Sequence, residues 1–200
     1  VAADGELIIG GRKASDLVAE AGCTPLFVYS ADRIAARVAQ LRKALPDAVA
    51  LNYAVKANPF GPVLQAMAGL VDGFDIASAG ELAMVNEAGI DPARISFAGP
   101  GKRDAELEAA IAAGVTLNLE SEGEATRALE IAARIGLTPQ LAVRVNPDFD
   151  LKGSGMKMGG GAKPFGVDAE RVPALVRMLI AAGADWRGFH IFAGSQALDA

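Results

Sequence analysis

The residues of this chain that could do chemistry stand at the ends of short apolar runs, and most admit two readings. Lys56 follows the run Ala50–Val55 within Tyr53-Ala54-Val55-Lys56-Ala57-Asn58. An amine at the inward end of a strand is partly desolvated, which disfavours the ammonium and frees the lone pair for a Schiff base. A solvated surface charge is the plainer alternative. His190, the only histidine in the chain, faces inward at another strand end, as a functional imidazole or as an ordinary core residue. Arg144 also points inward and, because a guanidinium does not discharge, demands an anion. Asp75, closing the second run, is its expected partner, and that ion pair alone would be structural. Glu81 ends Ser78-Ala79-Gly80-Glu81, a capping box that by itself only starts a helix. Gly194-Ser195-Gln196 offers a backbone turn and a hydroxyl where a phosphate could lie.

The elements that must position these groups follow a regular beat. Apolar runs occur at Ala50–Val55, Val71–Ile76, Arg94–Ala98, Val115–Leu119, Leu141–Val145 and Arg187–Phe192, the first five starting about 21 to 26 residues apart. Between them the periodicity is helical. In Arg33–Leu45, for example, Ile34, Val38, Leu41 and Leu45 share a face behind Ser30 as N-cap. Gly69, Gly89, Gly114, Gly136 and Gly183 are placed to end helices in the left-handed conformation, and Ser121-Glu122-Gly123-Glu124 to open one. Alternating strands and helices argue for a parallel sheet with crossover helices.

The strand patterns choose between an open sheet and a barrel. Strands of an open sheet buried on both faces are apolar throughout, whereas here Leu51, Tyr53 and Val55 oppose Asn52, Ala54 and Lys56. Likewise Val115, Leu117 and Leu119 oppose Thr116, Asn118 and Glu120, and Leu141, Val143 and Val145 oppose Ala142, Arg144 and Asn146. Phe189 and Ile191 oppose Gly188 and His190. The apolar face suits the helices, and the small or polar face an interior with room for something other than protein. The predicted fold is α/β, an incomplete (β/α)8 barrel with about six of its eight strands. Before it, Glu6–Ile9 with Gly10-Gly11, and Leu26–Tyr29, read as short strands of a different unit. Lys152–Gly166, rich in glycine and carrying three lysines, reads as a spacer or as a mobile lid starting from the face of Arg144 and Asn146.

Composition excludes several classes. The chain is 52% hydrophobic and 22% charged, ordinary for a globular domain, and its net charge of −5 is scattered, with no basic patch for nucleic acid. No apolar stretch is long enough for a membrane span and no secretion signal opens the chain, so a cytoplasmic location is expected. Cys23 has no partner for an internal disulfide. Single cysteine and histidine residues leave no metal-ligand cluster, and neither a Gly-x-Gly-x-x-Gly nor a Walker loop is present. A start at Val1 and a stop just after Gly194-Ser195-Gln196 suggest a fragment.

Five motifs in order carry a resemblance. Gly22–Tyr29, Tyr53–Asn58, Phe74–Leu82, Leu141–Asp148 and Lys163-Pro164-Phe165-Gly166-Val167 resemble those of the fold-type III pyridoxal-phosphate decarboxylases, the diaminopimelate, ornithine and arginine decarboxylase family. The resemblance implies an alanine-racemase-like barrel over residues 31–200. Residues 1–30 would be a leading segment associated with a β-domain beyond this sequence. It implies a carboxy-lyase whose cofactor, pyridoxal 5'-phosphate, is held by Lys56 as a Schiff base while His190 stacks on its ring. Gly194 and Ser195 would contact the phosphate, and Asp75, Glu81 and Arg144 would line and order the pocket. It further implies a homodimer when full length, with residues beyond 200 completing the site, so that the fragment alone is expected to be inactive. A racemase with the same barrel, a non-catalytic homologue, and a cofactor-free barrel enzyme acting on a phosphorylated sugar are the alternatives. Two departures stand out: Ile191-Phe192-Ala193 separate the histidine from Gly-Ser, and Pro164 splits the Lys-Phe-Gly element. Both resemble a sub-branch including exosortase-associated decarboxylases and those acting on carrier-tethered aminoacyl groups. The expected substrate is therefore a small amino acid or a carrier-tethered aminoacyl group.

Overall fold

The computed structural model describes residues 5–149, 154–157, 161 and 163–197. The leading segment forms a hairpin in which β1 (Ile8–Ile9) pairs antiparallel with β2 (Arg12–Lys13) around Gly10-Gly11, both at positive φ. α1 (Ala14–Ala21) follows directly and ends on left-handed Gly22. The sequence reading placed no helix there, because so short a stretch gives periodicity little to act on. Leu26–Tyr29, expected as a strand, joins no ladder. Its side chains lie beside helices, lining a groove of about 450 Å³ with Ile34, Phe60 and Val63, so no neighbouring strand meets its backbone.

The β/α alternation then begins. α2 (Ala31–Ala44) is capped by Ser30, whose Oγ accepts from the Arg33 amide at 3.4 Å. Next come β3 (Asn52–Ala54), α3 (Gly61–Ala68), β4 (Gly73–Ile76), α4 (Ala79–Glu87), β5 (Ile95–Phe97), α5 (Asp104–Ala113), β6 (Thr116–Leu119), α6 (Glu122–Ile135) and β7 (Gln140–Asn146). After β7 lie β8 (Ser154–Lys157), β9 (Val167–Asp168), α7 (Val172–Ala181), β10 (Asp185–Ile191) and β11 (Gly194–Ala197). The main sheet runs β10-β7-β6-β5-β4-β3 with every neighbour parallel, an incomplete barrel whose described edges are β3 and β10. Short β9 also pairs with β7.

Two boundaries differ from the sequence reading. The first barrel strand stops at Ala54, and Val55–Ala57 form one 3-10 turn that holds Lys56. Asn58 ends that turn in extended conformation, as the residue before Pro59 must, since a following proline crowds the helical region. Of the five glycines expected to close helices left-handed, Gly89, Gly114, Gly136 and Gly183 do so, while Gly69 keeps a right-handed φ of −87°. Much of Lys152–Gly166, the expected lid, lies outside the described residues. Its described part includes β8, which pairs antiparallel with β11.

The two faces of the barrel wall separate by polarity as the alternation requires. Phe74, Ile76, Ile95, Phe97, Leu117, Leu119, Leu141 and Val143 are buried in the main core with Leu64, Leu107, Ile131 and Leu179 of the helices. The opposite face carries Ala54, Asp75, Ser96, Asn118, Ala142, Arg144 and His190 across adjacent strands. β10 departs from the pattern, because its outer residues Phe189 and Ile191 are 62% and 59% exposed with no described helix over them. No helix among the described residues is long and apolar enough to cross a membrane.

Charge is buried where β6 meets α6. The Lys102 ammonium donates to Glu124 at 2.6 Å and to the carbonyls of Gly99 and Asn118 at 2.7 and 2.9 Å, with both side chains nearly inaccessible. Burial still holds the Glu124 carboxyl above the usual range against the pull of Lys102. An ion pair so enclosed penalises loss of either member alone. Lys102→Met is expected to destabilise the fold by about 3–5 kcal/mol in urea unfolding, and Lys102→Met with Glu124→Leu to recover much of that. A single variant as stable as the parent would show that the pair carries no such strain.

Candidate active site

The inner face converges at the carboxyl ends of the strands, where barrels place their chemistry. Asp75 is in register with Ala54 on one side and Ser96 on the other, and His190 is in register with Arg144. Lys56 extends from the turn after β3. Its Nζ lies 6.0 Å from the centre of the Phe192 ring, and the Arg144 guanidinium lies 6.0 Å from the same ring. Phe192 therefore touches both cations, and Phe165 adds a second ring 5.0 Å from Arg144. Lys56 is exposed rather than desolvated as expected. The cause is topological: among the described residues β3 is an edge strand, and none of them forms a strand over its far side.

Arg144 takes a different partner from the one anticipated. Its Nη1 donates to Glu120 Oε1 at 2.9 Å, with the side chains 8% and 1% exposed. Glu120 follows β6, the strand adjacent to β7, whereas Asp75 lies on β4, further along the sheet. The same carboxylate accepts from the Gly99 amide at 2.7 Å and, through Oε2, from the Gly166 amide at 2.9 Å. Sequence reasoning placed Glu120 on the inward face but missed its pairing. The signal was strand adjacency, which outranks chemical type in choosing a partner.

Glu81 behaves as a helix-start residue. Its carboxylate accepts from the Ala77 amide at 2.6 Å, while Ser78 Oγ accepts from the Glu81 amide at 3.2 Å. No hydrogen bond or ion pair among the described residues joins Glu81, Gly194 or Ser195 to Lys56, Asp75 or His190. Gly194 and Ser195 lie in β11, paired with Lys157 and Met156, instead of in the turn expected from sequence. The ladder to β8 fixes them extended.

The electrostatics of Asp75 and His190 suit a site that handles protons. Burial raises the Asp75 carboxyl, opposed by a hydrogen bond with Ser96 and by the charges of His190 and Lys56. Ser96 itself accepts from Asn118 Nδ2 at 2.6 Å, a contact that sequence reasoning did not foresee. Burial lowers His190, aided by the Arg144 charge and opposed by Asp75 and Glu120. Its Nδ1 is buried with no described partner. An amine, a carboxyl held toward neutrality, a neutral imidazole with an unspent nitrogen, and two aromatic rings form a donor set that fits a flat, phosphorylated aldehyde cofactor.

Comparison with known proteins agrees with this chemistry. Residues 31–200 match the family model described as pyridoxal-dependent decarboxylase, pyridoxal binding domain. The chain is 41% identical to the diaminopimelate decarboxylase of Aquifex aeolicus, covering 98% of this chain and 47% of that protein. It is 33% identical to the L-glutamyl-[BtrI acyl-carrier protein] decarboxylase of Niallia circulans, over 88% of this chain and 42% of that one. Among solved structures, the Helicobacter pylori diaminopimelate decarboxylase complexed with L-lysine superposes with a TM-score of 0.83 at 30% identity, covering 92% of this chain and 48% of that one. The chain thus spans about half the length of the curated relatives it matches.

A depressed His190 has a thermodynamic signature. Below the ordinary imidazole value of about 6.5, the unfolded chain binds a proton that the native state refuses, so stability falls as pH drops through that window. Urea unfolding of the cofactor-free protein at pH 7.5 and 5.5 is expected to show this loss, and His190→Gln to remove part of it. An identical pH slope in the variant would place the imidazole in solvent.

Proposed function

Because this chain belongs to the pyridoxal-dependent decarboxylases, we propose that it forms the part of the enzyme where Lys56 carries pyridoxal phosphate and a small amino acid loses its carboxylate as carbon dioxide. The observation that carries this reading is the convergence of Lys56, Asp75 and His190 at one end of the barrel wall. Bound pyridoxal phosphate supplies an electron sink for the pair left behind when carbon dioxide departs.

The protein's own groups act around that sink. The Lys56 amine is the group that would hold the cofactor, and it would be released to the pocket when a substrate amine is bound. His190, lowered by burial and by Arg144, would offer a flat, uncharged face to the cofactor ring. Asp75, with its carboxyl raised by burial, can hold a proton on the Lys56 side of the pocket. Arg144 lines the pocket with a fixed cation, and Glu81 orders it through the start of α4. Gly194 and Ser195 are assigned to the phosphate, supported by their place directly after Phe192 and Ala193. A proton held in the pocket, for which Asp75 is placed, would replace the departed carboxylate on the α-carbon.

Diaminopimelate decarboxylases among the relatives favour a free diamino acid as substrate. A second reading, a carrier-tethered aminoacyl group, is favoured by the Ile191-Phe192-Ala193 spacing and by the relative from Niallia circulans. Residues 1–30 are proposed as a leading segment associated with a β-domain, supported by the family match beginning at residue 31 and by the exposed Phe27 and Tyr29. A homodimer is proposed for the complete enzyme. Borohydride treatment of the full-length protein loaded with pyridoxal phosphate, followed by peptide mapping, is expected to tag Lys56. A tag on Lys102 or Lys163 instead would refute the assignment.

A further inference from the structure

Glu120 is the most heavily committed carboxylate of the inner face. Its side chain is 1% exposed, and its two oxygens accept from three segments: Gly99 after β5, Arg144 on β7, and Gly166 before β9. Gly166 lies hard against the backbone it serves. It sits at a φ of +77°, and a Cβ there would come within 2.8 Å of the Arg144 carbonyl and 2.9 Å of the Asn146 amide. Glu120 thus clips the Phe165-Gly166 segment onto β7, which brings the Phe165 ring to 5.0 Å from the guanidinium that Glu120 already holds.

We infer that Glu120 is a positioning residue for the cofactor pocket, fixing the Arg144 guanidinium within reach of the Phe165 and Phe192 rings and balancing its charge beside His190. Glu120 touches none of the groups assigned to hold pyridoxal phosphate except Arg144, so it acts through that residue. The inference rests on the reading proposed above for Lys56, His190 and Arg144. His190 feels Arg144 from β7, Asp75 from β4, Lys102 from the segment after β5 and Glu120 from the end of β6. Removing the Glu120 charge leaves Arg144 less opposed, and the imidazole becomes harder to protonate.

The test uses the full-length protein and two readouts. One is the dissociation constant for pyridoxal phosphate, from absorbance titration. The other is the His190 protonation midpoint in the cofactor-free protein, from NMR of labelled histidine assigned with His190→Gln. Glu120→Gln keeps the shape but presents an amide where a donor needs an acceptor. It is expected to weaken cofactor binding roughly tenfold or more, as for a buried charge left unpaired, and to lower the His190 midpoint. Glu120→Asp keeps the charge but draws it back by one methylene, and is expected to weaken the cofactor with little change at His190. In an Arg144→Met background, Glu120→Gln should cost no further affinity. Wild-type affinity and an unchanged midpoint in Glu120→Gln would overturn the inference, as would an undiminished loss in the Arg144→Met background. If Glu120→Gln does not fold, Glu120→Asp decides, and wild-type affinity there overturns it. A parent protein that fails to take up pyridoxal phosphate would instead refute the proposed function.

Discussion

A guanidinium cannot be discharged by its surroundings, so placing Arg144 on the inside of a barrel wall obliges a neighbouring strand to carry a permanent anion. Glu120 is that anion, and much of the surrounding geometry follows from meeting it. The carboxylate has lone pairs to spare after Arg144, and in so enclosed a place each needs a donor. The Gly99 and Gly166 amides provide them. The loops at Gly99 and Gly166 are therefore tied to the strand ends, and the Phe165 ring is brought near the guanidinium with the second of them.

The same economy governs the second buried pair. Lys102 and Glu124 lie between the β5–β6 side of the wall and α6, and Lys102 also satisfies two strand-end carbonyls. Glu124 lies four residues after Glu120, in the first turn of α6, and its carboxylate accepts from the Glu120 backbone amide at 3.4 Å. The two carboxylates therefore divide the cations between them, one serving the interior and the other the seam with the helix. Side by side two carboxylates repel, and each here has a cation of its own, Arg144 for Glu120 and Lys102 for Glu124.

Much of this was legible in the sequence because alternation is a local property. Asn52 through Lys56, Thr116 through Glu120 and Ala142 through Asn146 announce a two-faced strand without knowledge of the rest of the chain. The parallel barrel wall follows from their spacing, and so do the helix starts at Ser78 and Ser121. Partners across strands were less legible. The sequence offered Asp75, at the close of the second strand, as the anion for Arg144, whereas sheet order puts Glu120 next to it. The Ser96–Asn118 bond and the β8–β11 ladder depend likewise on contacts remote in sequence. The exposure of Lys56 could not be read from its neighbours in sequence, since it follows from β3 being an edge strand among the described residues.

The outward face of β10 has a consequence of its own. Phe189 and Ile191 present bare hydrocarbon on β10, which is an edge strand among the described residues. Such a surface adheres to whatever extended chain it meets, including another copy in the same condition. In a cell, polypeptide emerges in order, and a barrel wall is built before its last edge is covered. The interval during which β10 stands uncovered is then a window of vulnerability. Its length is set by the pace of synthesis, and its danger by how many such chains are present at once.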